Sequence, residues 1–350
     1  ASQWRSEAKQ ILAAEIKNQV FADGCIREQA LGYQFFVLQF YIYSGIAARW
    51  SGDDFSSDYW AAVQQMLMFI AKLTEAGNDL PMFGDKDDGY VLDLGNDATD
   101  VEALLAVGAI LFGDGYFKAL SQPSETLFWL YGNKSIAMYD AIVAVELAEL
   151  SSGAFSESGH YLMQCGNYAE DDTVSVLFDC GQLGFGSIAA HGHADALSFT
   201  LRVGGDQLLV DSGTYDYFTY PEWRNYFRST MAHNTIVVDE FDQSEMLGLF
   251  LWGKKAEASC THWLDEADSV EVSGEHSGYL RLNNPVKHAR KIHLNRKSKK
   301  ITVDDSLLCD GSHQMAMCWH FSPKVILTKE ANHSYKATLP NGKSVLFFFD

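Results

Sequence analysis

His191-Gly192-His193-Ala194-Asp195-Ala196-Leu197-Ser198-Phe199-Thr200-Leu201-Arg202-Val203 is the stretch on which the reading of this chain turns. From Leu197 to Val203 apolar and polar residues alternate, the period of a half-buried β-strand. Just before it stand two histidines and a carboxylate. If the extended conformation reaches back to His191, alternate side chains share a face, and His191 and His193 point the same way. Asp211 of Val210-Asp211-Ser212-Gly213 and His233 of Ala232-His233-Asn234-Thr235 then reach them from neighbouring strands. Two imidazoles and a carboxylate suit zinc or another borderline divalent cation. For His193, Asp211 and His233 the plainer alternative is a satisfied polar network where strands cross. For His191 it is an outward-facing strand histidine without a task.

The period-two pattern continues outward from this stretch. It marks Tyr161–Gln164, Val174–Phe178, Thr235–Val238, Ser269–Val272, Lys300–Val303 and Val345–Phe348, with turn pairs Gly204-Gly205 and Asn341-Gly342. Short strands punctuated in this way predict an antiparallel β-sandwich over residues 159–350. Upstream, the small polar run 151–158 (SSGAFSES) reads as a linker, and residues 1–150 read as helical. Residues 27–49 place Leu31, Phe35, Leu38, Ile42 and Ile46 at three- to four-residue spacing, and Asp58–Ala76 does the same with Trp60, Val63, Leu67, Ile70 and Leu73. Thr99-Asp100-Val101-Glu102 is a capping-box candidate for a helix reaching Phe112. Between the last two helices, Pro81–Tyr90 is a polar, glycine-punctuated loop that suits either function or a solvated connection. Its Asp87-Asp88 pair lacks the alternating oxygens of a calcium loop. Helices first and strands second define a two-domain α + β chain.

The 350 residues carry a formal net charge of −20, which excludes the basic surface that nucleic-acid binding needs. No apolar run spans a bilayer. Six scattered cysteines lack a CxxC pair and read as mostly buried thiols, a disulfide being neither indicated nor excluded. The first residues form no signal peptide and look like the middle of a helix, so the chain is expected to be a slice of a longer protein.

The longer series of motifs resembles the heparinase II/III-like polysaccharide lyases, a family that includes several alginate lyases. The resemblance rests on Asp23-Gly24 with Arg27-Glu28-Gln29-Ala30 and Tyr33, on Met82-Phe83-Gly84-Asp85, and on Ala154-Phe155. It is strongest from His191 to Phe199, through Trp223-Arg224-Asn225-Tyr226-Phe227-Arg228-Ser229-Thr230, to Ala232-His233-Asn234-Thr235. It implies an incomplete (α/α) toroid followed by a β-sandwich, and β-elimination on an acidic, uronate-containing polysaccharide. It also implies a structural divalent metal, zinc, held by His193, Asp211 and His233, and a periplasmic or secreted location. His191 matches the substrate-facing histidine, and the 215–228 loop the region that supplies a tyrosine, with Tyr220 the first choice and Tyr90 the second. Gln29, Glu28, Tyr33, Arg224 and Arg228 are the substrate-binding candidates. The two arginines could equally pair with Glu222 or Asp216, and Glu28 could simply favour a helix amino terminus.

Two positions depart from the family pattern. Ile26 and Leu80 stand where the resemblance implies an amide or imidazole and a tyrosine, and neither can move a proton. A non-catalytic or altered-specificity acidic-polysaccharide-binding protein of the same fold is therefore the alternative function. A two-histidine, one-carboxylate iron site of an oxygenase is the reading that sets the family aside. His320, among apolar neighbours, reads as a core histidine. Oligomeric state is not legible.

Overall fold

The computed structural model describes residues 2–77, 79–86, 88–95, 100–168 and 172–350. The chain divides into two compact units, one comprising 1–75 and 84–147, the other 76–83 and 148–350. Thr99 of the capping-box candidate and Asp87 of the acidic pair lie outside the described residues.

The first unit is helical: α1 Ser2–Gln19, α2 Leu31–Trp50, α3 Ser57–Thr74, α4 Val101–Phe112, α5 Gly115–Ala119, α6 Glu125–Tyr131 and α7 Ser135–Asp140. The periodic residues of α2 and α3 are its core. Leu31, Leu38, Ile42, Val63, Leu67 and Ile70 are fully buried, each worth roughly 1.5–3 kcal/mol relative to exposure. Helix α4 is capped by the Asp100 side chain, which accepts from Ala103 N–H at 3.0 Å. Helix α2 begins later than the sequence predicts, at Leu31 rather than residue 27. Gln29 is the reason: at φ +53° it sits in the left-handed region and cannot continue a helix. Gly84 crosses so closely there that a Cβ on it would lie 2.2 Å from the Gln29 carbonyl oxygen.

The second unit is built on antiparallel strands. Five of them, β1 Gly153–Phe155, β2 His160–Cys165, β3 Val174–Asp179, β4 Phe199–Val203 and β5 Asp206–Leu209, pair in sequence order. The stretch read as a linker thus carries β1, whose Phe155 pairs with His160. After helix α8 (Pro221–Phe227) come β6 Ile236–Val238, β7 Met246–Gly248 and β8 Leu251–Trp252. Strands β9 Ala258–Asp265, β10 Ser269–His276, β11 Lys287–Asn295 and β12 Lys300–Leu308 form a four-stranded meander. Strand β13 Met315–Met317 pairs with β6, and β14 Ile326–Ala331, β15 Ser334–Thr338 and β16 Ser344–Phe348 close the chain.

One apolar core joins these sheets. Val176, Phe178 and Leu201 of the five-stranded sheet pack in the same cluster as Val272, Ile292 and Leu294 of the meander. Strand β10 shows why the sequence signal works, since every second residue from Val270 to His276 is buried. All six cysteines are free thiols, three of them buried. No helix among the described residues is long and apolar enough to cross a membrane.

Candidate metal centre and its surroundings

The donors sit on loops, which corrects the expectation that strands present them. Residues 191–198 are non-regular, and Leu197 at φ +61° breaks the extended run before β4. Gly192 explains the departure: a Cβ there would stand 1.4 Å from the Leu183 carbonyl oxygen, so the loop presses its backbone onto its neighbour. Asp211 lies two residues beyond β5, and His233 follows the short 3-10 turn Thr230–Ala232.

These loops nevertheless bring the three ligand candidates together. His193 Nδ1 is 3.2 Å from His233 Nε2, and His233 Nε2 is 3.2 Å from Asp211 Oδ2. Four donors around zinc at 2.0–2.1 Å would stand about 3.3–3.4 Å apart along each tetrahedral edge. A fourth donor, the Asp195 carboxylate, joins the group, whose ligand atoms all lie within 4.8 Å of one another. His193 is 1% exposed and His233 is 0% exposed. The His233 ring is oriented by its Nδ1–H, which donates to the Ser229 carbonyl at 2.7 Å and turns Nε2 inward. Asp211 is fixed by accepting from Gly213 N–H at 2.7 Å.

The electrostatics describe a site in want of positive charge. Burial works against the Asp211 carboxylate, but the His233 imidazole beside it prevails and holds it below the usual carboxylate range. Burial likewise penalises charged His233, yet Asp211 carries it up to about 9. Asp195 is pushed well above its ordinary value by burial and then by Asp179. Crowded buried carboxylates facing two imidazoles are the donor chemistry of a divalent-cation site, and the residues fit such an ion.

Asn234 is the splint between these loops. Its Nδ2 donates to the carbonyls of Phe199 at 2.8 Å and Val210 at 3.0 Å. Its Oδ1 accepts from His320 N–H at 2.6 Å. His320 is half-buried with its charged form disfavoured by burial first and His233 second. The first part of the Pro81–Tyr90 loop also comes near, because Pro81 and Met82 line a small cavity with Leu209, Val210 and Asp211. Leu80 is buried, and its carbonyl accepts from Gln207 Nε2 at 3.0 Å.

His191 stands apart from the ligand group, half-buried, with Tyr217 at 6.4 Å and Phe250 at 5.9 Å between ring centroids. Tyr220 is 48% exposed at the start of α8, and its ring neighbours Tyr215 rather than His191. Around it Tyr215, Trp223, Tyr226 and Phe227 form an aromatic surface, with Tyr215 stacked on Phe227. Arg224 and Arg228 are sealed beneath. Arg228 donates to the Leu249 carbonyl at 3.1 Å and the Gly248 carbonyl at 2.5 Å, and its guanidinium lies over Trp252. Arg224 donates to Leu249 at 3.3 Å and lies over Tyr217 and Phe250. These bonds tie α8 to the β7–β8 hairpin.

The remaining candidates belong to the helical unit. Gln29 is buried, Glu28 and Tyr33 are half-buried, and Tyr90 is 52% exposed. Gln29 and Glu28 precede α2, whose cap position is Ala30, so Glu28 does not cap it. Ile26 is fully buried and donates its N–H to Gln34 at 2.7 Å. Sequence reasoning assigns no role to Asp195 and offers Tyr217 only as one of the tyrosines of the 215–228 loop, behind Tyr220. The Asp195 signal was the carboxylate two residues after His193, whereas Tyr217 could be chosen from the six other aromatic residues of the 215–228 loop only by its contact.

Residues 149–349 match the heparinase II/III-like C-terminal family and residues 1–99 the heparinase II/III N-terminus. The chain belongs to the heparinase II/III-like family. It is similar to the heparin-sulfate lyase of Pedobacter heparinus, at 24% identity over 241 residues, 67% of this chain and 32% of that lyase. Among solved structures it resembles a heparinase III gene product with a TM-score of 0.74 at 19% identity, covering 98% of this chain and 48% of the other. The heparan sulfate lyase HepC from Pedobacter heparinus gives a TM-score of 0.72 at 18% identity, covering 99% and 48%. The chain therefore spans about a third of the curated relative and about half of the solved ones.

Proposed function

We propose that this chain is part of a polysaccharide lyase that cleaves a uronate-containing polysaccharide by β-elimination, with a structural divalent cation, zinc, in the strand unit. The helical unit is read as part of an (α/α) toroid and the strand unit as a β-sandwich. The shared core of the five-stranded sheet and the meander supports the second reading. The observation that carries the function is the half-buried His191 imidazole beside Tyr217, two residues from a convergent ligand group, in a chain of this family.

The chemistry asks for those residue types. A uronate C5 proton is weakly acidic because the adjacent carboxylate already bears charge, so donors must offset that charge as the enolate develops. A base removes the proton, and an acid protonates the departing O4. His191 and a tyrosine are the acid–base pair. Tyr217 joins Tyr220 and Tyr90 as a candidate because its ring lies beside His191, whereas that of Tyr220 lies beside Tyr215. The Gln29 amide is the candidate carboxylate partner, its strained backbone being of the kind that clusters at functional sites. The exposed aromatic rings near α8 suit stacking on sugar faces. His193, Asp211, His233 and Asp195 would hold the cation, which would supply fixed positive charge to tie the loops together.

The test is incubation of the full-length protein with alginate, heparan sulfate and other polyuronates while following ultraviolet absorbance of the new C4–C5 double bond. No absorbance change on any of them, with binding intact, rejects the lyase reading. A binding protein of the same fold is the second reading, favoured by the buried apolar Ile26 and Leu80. On that reading His191→Ala leaves polysaccharide binding unchanged.

A further inference from the structure

Behind the ligand loops the meander holds a buried polar chain that the proposed reaction does not use. It begins at the Gly278 backbone, whose N–H donates to His276 Nδ1 at 3.1 Å. That bond leaves the His276 proton on Nε2, which donates to His288 Nδ1 at 3.0 Å. His288 must then carry its own proton on Nε2 and donates to Asp305 Oδ1 at 2.7 Å. Arg290 grips the same carboxylate through both oxygens, Nε to Oδ1 at 2.8 Å and Nη2 to Oδ2 at 2.9 Å. Arg290 and Asp305 are direct cross-strand partners on β11 and β12, so the sheet register sets this pair.

The chain ends on the metal loops. Arg290 Nη1 donates to the Leu197 carbonyl at 2.8 Å and to the Asn234 carbonyl at 2.5 Å. Leu197 lies two residues after Asp195, and Asn234 directly follows His233. Arg290 is 1% exposed and His288 is 0% exposed. A fully buried guanidinium needs all its N–H groups satisfied, and here one nitrogen is committed to both loops, which also meet where Asn234 N–H donates to Ser198 Oγ and Thr235 Oγ1 donates to the Ala196 carbonyl. The backbone positions of two ligands are thus referred to one rigid cross-strand pair.

We propose that Arg290, locked by Asp305 and through it by His288 and His276, is a positioning residue for the divalent-cation site. It sets the separation of the Asp195 and His233 loops before the cation arrives. The inference rests on the metal reading above. Supporting groups behind metal ligands commonly change affinity about 10–100-fold, and an effect in that range is expected here.

The experiment compares wild type, Arg290→Lys, Asp305→Asn and a surface control, Lys291→Gln, in the full chain. Zinc affinity is measured by chelator competition, and the cobalt-substituted proteins are compared by visible absorption, which reports ligand geometry. Arg290→Lys keeps the charge but cannot span both carbonyls and both carboxylate oxygens. Expected are at least about tenfold weaker zinc binding and a changed cobalt spectrum for Arg290→Lys, with Lys291→Gln unchanged. Should Arg290→Lys not fold, Asp305→Asn gives the same readings. Folded variants with wild-type affinity and spectrum overturn the positioning role while leaving the metal reading intact. A wild-type protein that takes up no zinc or cobalt overturns both.

Discussion

His193 Nδ1 lies 3.2 Å from His233 Nε2, and the bond from His233 Nδ1 to the Ser229 carbonyl decides what can join them. With Nδ1 committed as a donor, a neutral His233 offers only a lone pair toward His193. Either a proton or a cation must therefore join the two rings. The carboxylates of Asp211 and Asp195 favour the cation, because they add negative charge on the same side.

The first prediction concerns that cation. The full-length protein should retain about one zinc per chain through dialysis. His233→Ala or Asp211→Asn should weaken zinc binding beyond the 10–100-fold typical of outer partners, and chelation should lower Tm. Asp195→Asn separates a three-donor from a four-donor site: unchanged affinity removes Asp195 from the set. Metal analysis and calorimetry check both.

His191 should be separable from the cation. Expected for His191→Ala is a fall in kcat of about 10²–10⁴-fold, as for loss of a general acid or base, at unchanged zinc content. Equal activity would remove it from the chemistry.

Among the tyrosines the rings give an order. Tyr217→Phe should lower kcat more than Tyr220→Phe, because Tyr217 packs beside His191 while Tyr220 packs with Tyr215. The reverse order in steady-state kinetics would return Tyr220 to first place.

Arg228→Ala should act on stability. Two charge-assisted bonds to Leu249 and Gly248 carbonyls are lost, each worth about 1.5–3 kcal/mol, and denaturant titration should register a cost of that order. Wild-type stability with a raised KM would instead place the guanidinium on substrate.

Acid should unfold this protein in two stages. Burial, and for His276 also His288, holds both imidazoles below their ordinary value. A depressed histidine accepts a proton more readily when unfolded, so its stabilisation is present above about pH 6.5 and is lost as pH falls. Each such group contributes a slope of at most about 1.4 kcal/mol per pH unit below that point. Asp305, opposed by burial but drawn to about 2 by His288 and Arg290, adds a second loss between about pH 4 and pH 2. His276→Gln should flatten the first stage in pH-dependent denaturation, and an unchanged slope would refute the assignment.

Much of the fold was readable because burial imposes a period. The apolar spacing of Leu31, Phe35, Leu38 and Ile42 marks α2, and the alternation from Val270 onward marks β10. The beginning of α2 was not readable, since nothing in Glu28-Gln29 announces a left-handed backbone. It occurs where the chain crosses Gly84 at close range. Arg228 shows the same limit, because composition cannot say which backbone carbonyls a guanidinium will meet.

Sequence by itself determined the order of helices and strands, the family, and which imidazoles and carboxylate could share a cation, because side-chain chemistry and motif spacing are local properties. Tertiary structure alone decided that those donors sit on loops, that Asp195 joins them, that Tyr217 faces His191, and that Arg290 holds two of the loops. Those facts depend on which backbone carbonyls and rings are brought together by residues tens of positions apart, and no one-dimensional pattern records that distance.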